Sequence, residues 1–243
     1  MKAGGEVESL FNSKAGTWNE KYRPGGPLAV RSAQFLERAT ALLSPNGRIL
    51  DLGCGTGAIA ATLAARGFQV VACDVAAQMI AAGRKNHPNS TIEWSLLPSA
   101  WDRLPFESDS FDGIVASSVF EYLIEMDRVF IECRRVLRPG GYVIATVPNP
   151  RTLIRKLERL LRPLALLLAR APVLGRVSKL VAYASYLKCS QNRMPLDGWF
   201  DLAHKTQLSP VDREKSRAGR EALLFLVLRK PIAGSNPFEP PKP

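Results

Sequence analysis

Between residues 45 and 150, short apolar runs alternate with stretches whose apolar positions recur at helical spacing. "RILDL" (48–52), "QVVACD" (69–74), "FDGIVAS" (111–117) and "YVIATV" (142–147) are nearly continuous in apolar residues, as strands buried on both faces are. The intervening stretches 57–66, 76–86 and 127–137 predict helices, the last with Met126, Phe130, Cys133 and Leu137 on one face. "TIEW" predicts a short extra strand. Buried strands separated by helices predict an α/β fold with a mostly parallel sheet covered on both sides.

Outside this core the pattern changes. Residues 1–9 read as a loose terminus. Phe11, Ala15, Trp18 and Tyr22 then follow helical spacing, "RPGGP" (23–27) breaks it, and 28–43 predict a second helix, so 1–44 form a helical lid. Residues 151–188 are helical in character with breaks near Pro163 and Pro172. Residues 209–218 predict a further helix and "ALLFLVLRK" (222–230) a final strand. The expected organisation is thus a lid (1–44), the core (45–150), a helical cap (151–208), a final helix and strand completing the core (209–230) and an unstructured proline-rich tail (231–243).

Composition narrows the classes. The 243 residues are 46% hydrophobic, and 33 Lys+Arg against 22 Asp+Glu leave a formal charge of +11. Such a balance suits nucleic acid, an anionic membrane surface or an acidic substrate. Cys54, Cys73, Cys133 and Cys189 lack C-x-x-C spacing, so neither a metal site nor a disulfide framework is expected. No apolar signal segment opens the chain and no run of about 18 apolar residues occurs. A cytoplasmic protein is expected, with the membrane surface as a peripheral location.

Chemistry concentrates in "ILDLGCGTG" (49–57), where Gly53, Gly55 and Gly57 follow a strand that carries Asp51. Glycines at a first strand-to-helix turn let backbone approach a ligand closely, and the helix start offers free N–H groups. The spacing is G-x-G-x-G, whereas a dinucleotide turn reads G-x-G-x-x-G. A carboxylate two residues before the first glycine repels a pyrophosphate and attracts an ammonium or sulfonium. Asp74, ending the next strand, stands where a carboxylate accepts ribose hydroxyls. A nucleotide bearing an amino acid fits both acids.

These blocks, with "VVACDVAAQMIAAGR", "LPFESDSFDGIVASSVFEYL" and "ECRRVLRPGGYVIATVPNP", resemble the class I S-adenosylmethionine-dependent methyltransferases of the type 11 family over residues 45–150. The resemblance implies a Rossmann-like doubly wound sheet with S-adenosyl-L-methionine as cofactor. It implies Asp51, Gly53, Gly55 and Gly57 at the methionine part and Asp74 at the ribose. Val75 and Met79 would line the adenine side, Ser117 would face the methyl end, and Arg138–Gly141 would be a structural turn. Where relatives place an adenine-binding Asp, this chain has Ala100. Trp101 then either stacks on adenine or caps the core, or Asp102 substitutes through a shifted loop. Relatives also end in a strand pair, for which this chain has no room between "HKTQLSPVDREKSRAG" and "ALLFLVLRK". Either the sixth strand is missing, leaving Leu223–Leu228 as an edge, or a shortened carboxyl end is rebuilt.

The segment 151–188 holds nine Lys+Arg against Glu158, which is +8 of the total. Leu153, Leu157, Leu160, Leu161, Leu164 and Leu168 follow helical spacing, with Arg155, Lys156, Arg159 and Arg162 largely opposite. A basic amphipathic helix reads as a membrane-surface element or as a cap with a buried apolar face. Leucine content and sparse aromatics speak against nucleic acid. The resemblance makes such an insertion the cover of the acceptor. The expectation is methyl transfer to a small hydrophobic or lipid-linked acceptor, with residues 151–188 touching an anionic membrane. An inactive binding protein at a membrane and an RNA methyltransferase are the alternatives. Trp18 and Tyr22 are candidates to close over the cofactor, and His204 to act as base.

Overall fold

The computed structural model describes residues 4–168, 178–211 and 221–232, without the side chains of Ile154, Arg159, 164–168 and 178–182. The predicted tail beyond 232, the break at Pro172 and most of the predicted helix 209–218 lie outside these residues, as do the side chains of Arg159, Leu164 and Leu168.

Seven strands form one sheet: β1 (Arg48–Leu52), β2 (Gln69–Asp74), β3 (Glu93–Leu96), β4 (Phe111–Ser117), β5 (Leu137–Pro148), β6 (Ser209–Val211) and β7 (Leu223–Arg229). Their order is β3-β2-β1-β4-β5-β7-β6. β1 to β5 run parallel and β7 is antiparallel to both its neighbours. The direction of winding reverses between β1 and β4, which opens a crevice at their carboxyl ends.

Strand alternation feeds two cores. Leu50, Leu52, Val71, Ile114, Ala116 and Val143 face one side, where α6 (Met126–Val136) and α9 (Leu196–Lys205) bring Phe130 and Trp199. Ile49, Val70, Ala72, Val115 and Ile144 face the other, under Phe35 of α3 (Arg31–Leu42) and Ile59 and Leu63 of α4 (Ala58–Ala65). The expected α/β class and Rossmann-like winding hold.

Several expectations change. The sixth strand exists: β6 is only three residues long, but it pairs with β7 from Ser209↔Arg229 to Val211↔Val227, so β7 is no edge. Its start at Ser209 also excludes a helix beginning there. The helix preceding it is α9, which the sequence reading passed over although its Leu196, Trp199, Phe200 and Leu202 are buried. The amino terminus is not loose from residue 4 onward, because α1 (Gly4–Asn12) packs Val7 and Leu10 against Cys189 of α8 (Ser178–Cys189). Phe11, Ala15, Trp18 and Tyr22 do not share one helix; they span α1, the short α2 (Ala15–Trp18) and a 3-10 turn at Asn19–Tyr22. Finally, Pro163 does not break α7 (Leu153–Leu168).

Candidate active site

The turn after β1 is held by hydrogen bonds to β2. Gly53 and Cys54 both donate backbone N–H to the Cys73 carbonyl, at 2.8 and 3.0 Å. Gly55 donates to Asp74 Oδ2 at 2.8 Å, and Ala76 to Asp74 Oδ1 at 2.9 Å. Gly55 has φ of 55°, a left-handed conformation that side chains disfavour. A Cβ there would meet Trp18 Nε1 at 2.9 Å, so the indole lies directly over the turn.

Above this turn is a cavity of about 440 Å³. Its wall takes Asp51, Gly53, Cys54, Gly55, Asp74 and Val75 from β1, β2 and their turns, Ser117 and Ser118 from the end of β4, and Trp101. Phe11, Trp18, Lys21, Tyr22 and Arg31 close it from the amino-terminal segment, and Glu121, Tyr122, Arg155 and Tyr186 close the far side.

Asp51 is 1% exposed, and its Oδ2 has no hydrogen-bond partner among the described residues. Burial, with Asp74 nearby, pushes its pKa from 3.8 up to about 7, against a backbone hydrogen bond from Ala60. An unmet buried carboxylate oxygen costs free energy that a bound ammonium offsets. Burial raises Asp74 as well, opposed by the backbone N–H groups of Ala76, Gly55 and Val75. The Tyr22 phenol is pushed up to about 12, chiefly by burial.

Sequence reasoning missed Arg31. Its Nη1 donates to Ser117 Oγ at 3.2 Å and to Ser118 Oγ at 3.1 Å. Both partners are neutral, and no described carboxylate lies in ion-pair range. Nε and Nη2 donate to no described atom, and Arg31 lines the cavity. A guanidinium edge matches a carboxylate in two parallel bonds. The only sequence signal was an arginine just after the "RPGGP" break.

Glu121, 3% exposed, was also missed. Its Oε2 accepts Ser190 Oγ at 2.6 Å and Tyr186 Oη at 3.4 Å, while Oε1 accepts no bond from a described residue. Burial raises its pKa, with Ser190, Arg155 and Arg193 pulling the other way.

Of the predicted site residues, Asp51, Gly53, Gly55, Asp74, Val75, Trp101 and Ser117 meet in the cavity wall. Trp101 is 5% exposed and belongs to the core cluster as well, so capping the core and lining the site are both its places. Asp102 points outward, 4.0 Å from Arg128.

Gly57 is not in the wall. A Cβ on it would meet Trp94 Cη2 at 2.3 Å, so this glycine admits the indole and starts α4 with φ of 76°. Met79 is likewise outside, fully buried with Ala15 and Ala76 beneath Phe11 and Trp18. His204 is at the wrong end of the sheet. It lies in the last turn of α9, five residues before Ser209, and Ser209 pairs through Arg229 to Tyr142 at the entry to the parallel part of β5. The cavity is at the exit, where Ser117 pairs with Thr146. A base at His204 is therefore excluded by the register.

An amino-acid ammonium, its carboxylate and a ribose diol each have a counterpart here in Asp51, Arg31 and Asp74. The winding is that of a Rossmann-like domain, and this donor set fits the cofactor of the class I S-adenosylmethionine-dependent methyltransferases. Residues 50–145 match the family model described as a methyltransferase domain. The chain is 33% identical over 156 residues to a demethylmenaquinone methyltransferase of Clavibacter sepedonicus, covering 61% of this chain and 62% of that one. It is 28% identical over 141 residues to a ubiquinone biosynthesis O-methyltransferase of Xanthomonas axonopodis pv. citri, covering 57% and 59%. The chain thus spans less than two-thirds of the curated relatives it matches. A solved S-adenosylmethionine-dependent methyltransferase from Thermotoga maritima superposes with a TM-score of 0.62 at 16% identity, covering 91% of this chain and 99% of that one.

Proposed function

We propose that this protein transfers the methyl group of S-adenosyl-L-methionine to a small, hydrophobic or lipid-linked acceptor, and that residues 151–188 bring it to an anionic membrane surface. One observation carries the first part. Asp51 with its unpartnered oxygen, Asp74 and Arg31 line one cavity at the exit of β1, β2 and β4. Two relatives named for quinone methylation support an apolar acceptor, as does the wall of Phe11, Leu28, Val119, Leu123 and Leu223.

The cofactor, when bound, supplies a methyl on a sulfonium that is already a good leaving group. The chain's own task is to position and to exclude water. Asp51 holds the ammonium, Arg31 the carboxylate and Asp74 the ribose hydroxyls. Trp18 and Tyr22 cover the turn from the solvent side. For a hydroxyl acceptor, Glu121 Oε1 is the free carboxylate oxygen in the wall and takes the proton.

Calorimetric titration with S-adenosylmethionine and S-adenosylhomocysteine tests the cofactor assignment. Micromolar binding of both is expected; folded protein that binds neither overturns it. Turnover is then sought with alkyl-substituted phenols and hydroquinones. Glu121→Gln should lower turnover of a hydroxyl acceptor and flatten its pH profile while leaving S-adenosylhomocysteine affinity within about twofold; an unchanged profile removes Glu121 from the chemistry.

A further inference from the structure

Helix α7 is built inside out. Leu153, Leu157, Leu160 and Leu161 are 82, 54, 73 and 44% exposed. They stand at i, i+4, i+7 and i+8, so they form one outward stripe. The opposite face carries the buried Glu158 and the largely covered Arg155. Glu158 accepts Arg155 at 2.9 Å, Arg193 at 2.8 Å and the Tyr183 hydroxyl at 2.7 Å. Arg155 also donates to Tyr186. Rolling the helix to bury its leucines would strip Glu158 of its two partners from outside the helix, Arg193 and Tyr183, and part Arg155 from Tyr186, a costly exchange for buried charge. The inner clasp thus determines which face is outward.

The surroundings of the stripe select its partner. Lys156 is exposed beside it and Arg151 is exposed just before the helix, in a segment of net +8. A second copy packed stripe to stripe would bring these cations together. Nucleic acid would match the charge but offers no apolar phase to the leucines. An anionic lipid interface satisfies both at once.

We infer that the outward face of α7 docks on an anionic lipid surface, with the leucines in the acyl boundary and Lys156 and Arg151 among the headgroups. The inner side of the same helix lines the cavity through Arg155. The docked bilayer then lies about one helix diameter, roughly 10–12 Å, from the site. This deepens the lipid-linked acceptor reading and rests on it for its purpose, while the docking face itself stands on exposure and charge.

Flotation of the full chain tests it, with vesicles of phosphatidylcholine alone and of equal parts phosphatidylcholine and phosphatidylglycerol. Binding to the mixed vesicles, weakened by salt, is expected, with little on phosphatidylcholine alone. Leu157→Asn with Leu160→Asn should reduce it by about tenfold or more. Lys156→Gln should reduce it about fivefold, as for one charge at the interface. Wild-type protein that floats with neither vesicle overturns the inference, as does a leucine variant that floats like wild type. A lipid-free dimer in sedimentation equilibrium that the leucine variant abolishes assigns the stripe to a second copy instead. S-adenosylhomocysteine titration of the same samples separates the two readings. Flotation without cofactor binding would sink the methyltransferase reading alone, and cofactor binding without flotation would sink only the docking.

Discussion

The proposed ammonium contact at Asp51 predicts that cofactor binding is a proton-linked event. With its pKa near 7, the free protein carries a mostly protonated Asp51 at pH 6 and a mostly ionised one at pH 8. An ammonium beside the carboxylate favours the ionised form, so binding at pH 6 must expel close to one proton and binding at pH 8 about a tenth of one. Apparent affinity for S-adenosylhomocysteine should therefore be about tenfold weaker at pH 6 than at pH 8, one pH unit below the pKa being a factor of ten. Calorimetry in buffers of different ionisation enthalpy reads both the proton count and the affinity. Asp51→Asn removes the titration: its proton release should vanish, its pH profile flatten, and its affinity at pH 8 fall by about 1.5–3 kcal/mol for loss of a charge-assisted contact.

The same shift predicts an opposite effect on stability. The folded-state pKa lies above the unfolded one, so the folded state binds more protons between pH 4 and 7 and loses stability as pH rises through that window. A rise from 3.8 to about 7 corresponds to roughly 4 kcal/mol, fully lost above pH 7. Asp51→Asn, free of that penalty, should melt higher than wild type at pH 8 without ligand. Equal wild-type affinity at pH 6 and pH 8 with no proton release would refute the ammonium role of Asp51.

Other outcomes follow from the same geometry. Gly55→Val should abolish S-adenosylhomocysteine binding in a folded protein, whereas Gly57→Ala, whose Cβ would strike Trp94 at 2.3 Å, should lower stability by about 1–3 kcal/mol and affect binding less; the reverse ranking in melting and titration would exchange their roles. Arg31→Gln should weaken S-adenosylhomocysteine by about 1.5–3 kcal/mol, with Arg31→Lys intermediate, and equal affinity of all three proteins would place the carboxylate elsewhere. Asp74→Ala should cost about 1–3 kcal/mol of cofactor affinity; an unchanged titration would remove Asp74 from the ribose contact.

What was legible in the sequence was local. Strand runs, the helices between them and the turn at Gly53–Gly57 are set within a few residues, because apolar continuity and left-handed backbone act at short range. Asp51 and Asp74 were legible for the same reason: each ends or nearly ends a strand whose register follows from its own pattern. Gly57 and Met79 were placed in the site because they neighbour it in sequence, but the structure gives them to Trp94 and to the lid's underside, contacts no local spacing records.

The tertiary structure alone decided the rest. Arg31 reaches Ser117 across 86 positions and Ser190 reaches Glu121 across 69, and His204 is excluded only by the pairing of β6 with β7. Periodicity showed that α7 has two faces but not which one turns inward. That was decided by Arg193, Tyr183 and Tyr186, which close around Glu158 and Arg155 from another part of the chain and leave the leucines facing out.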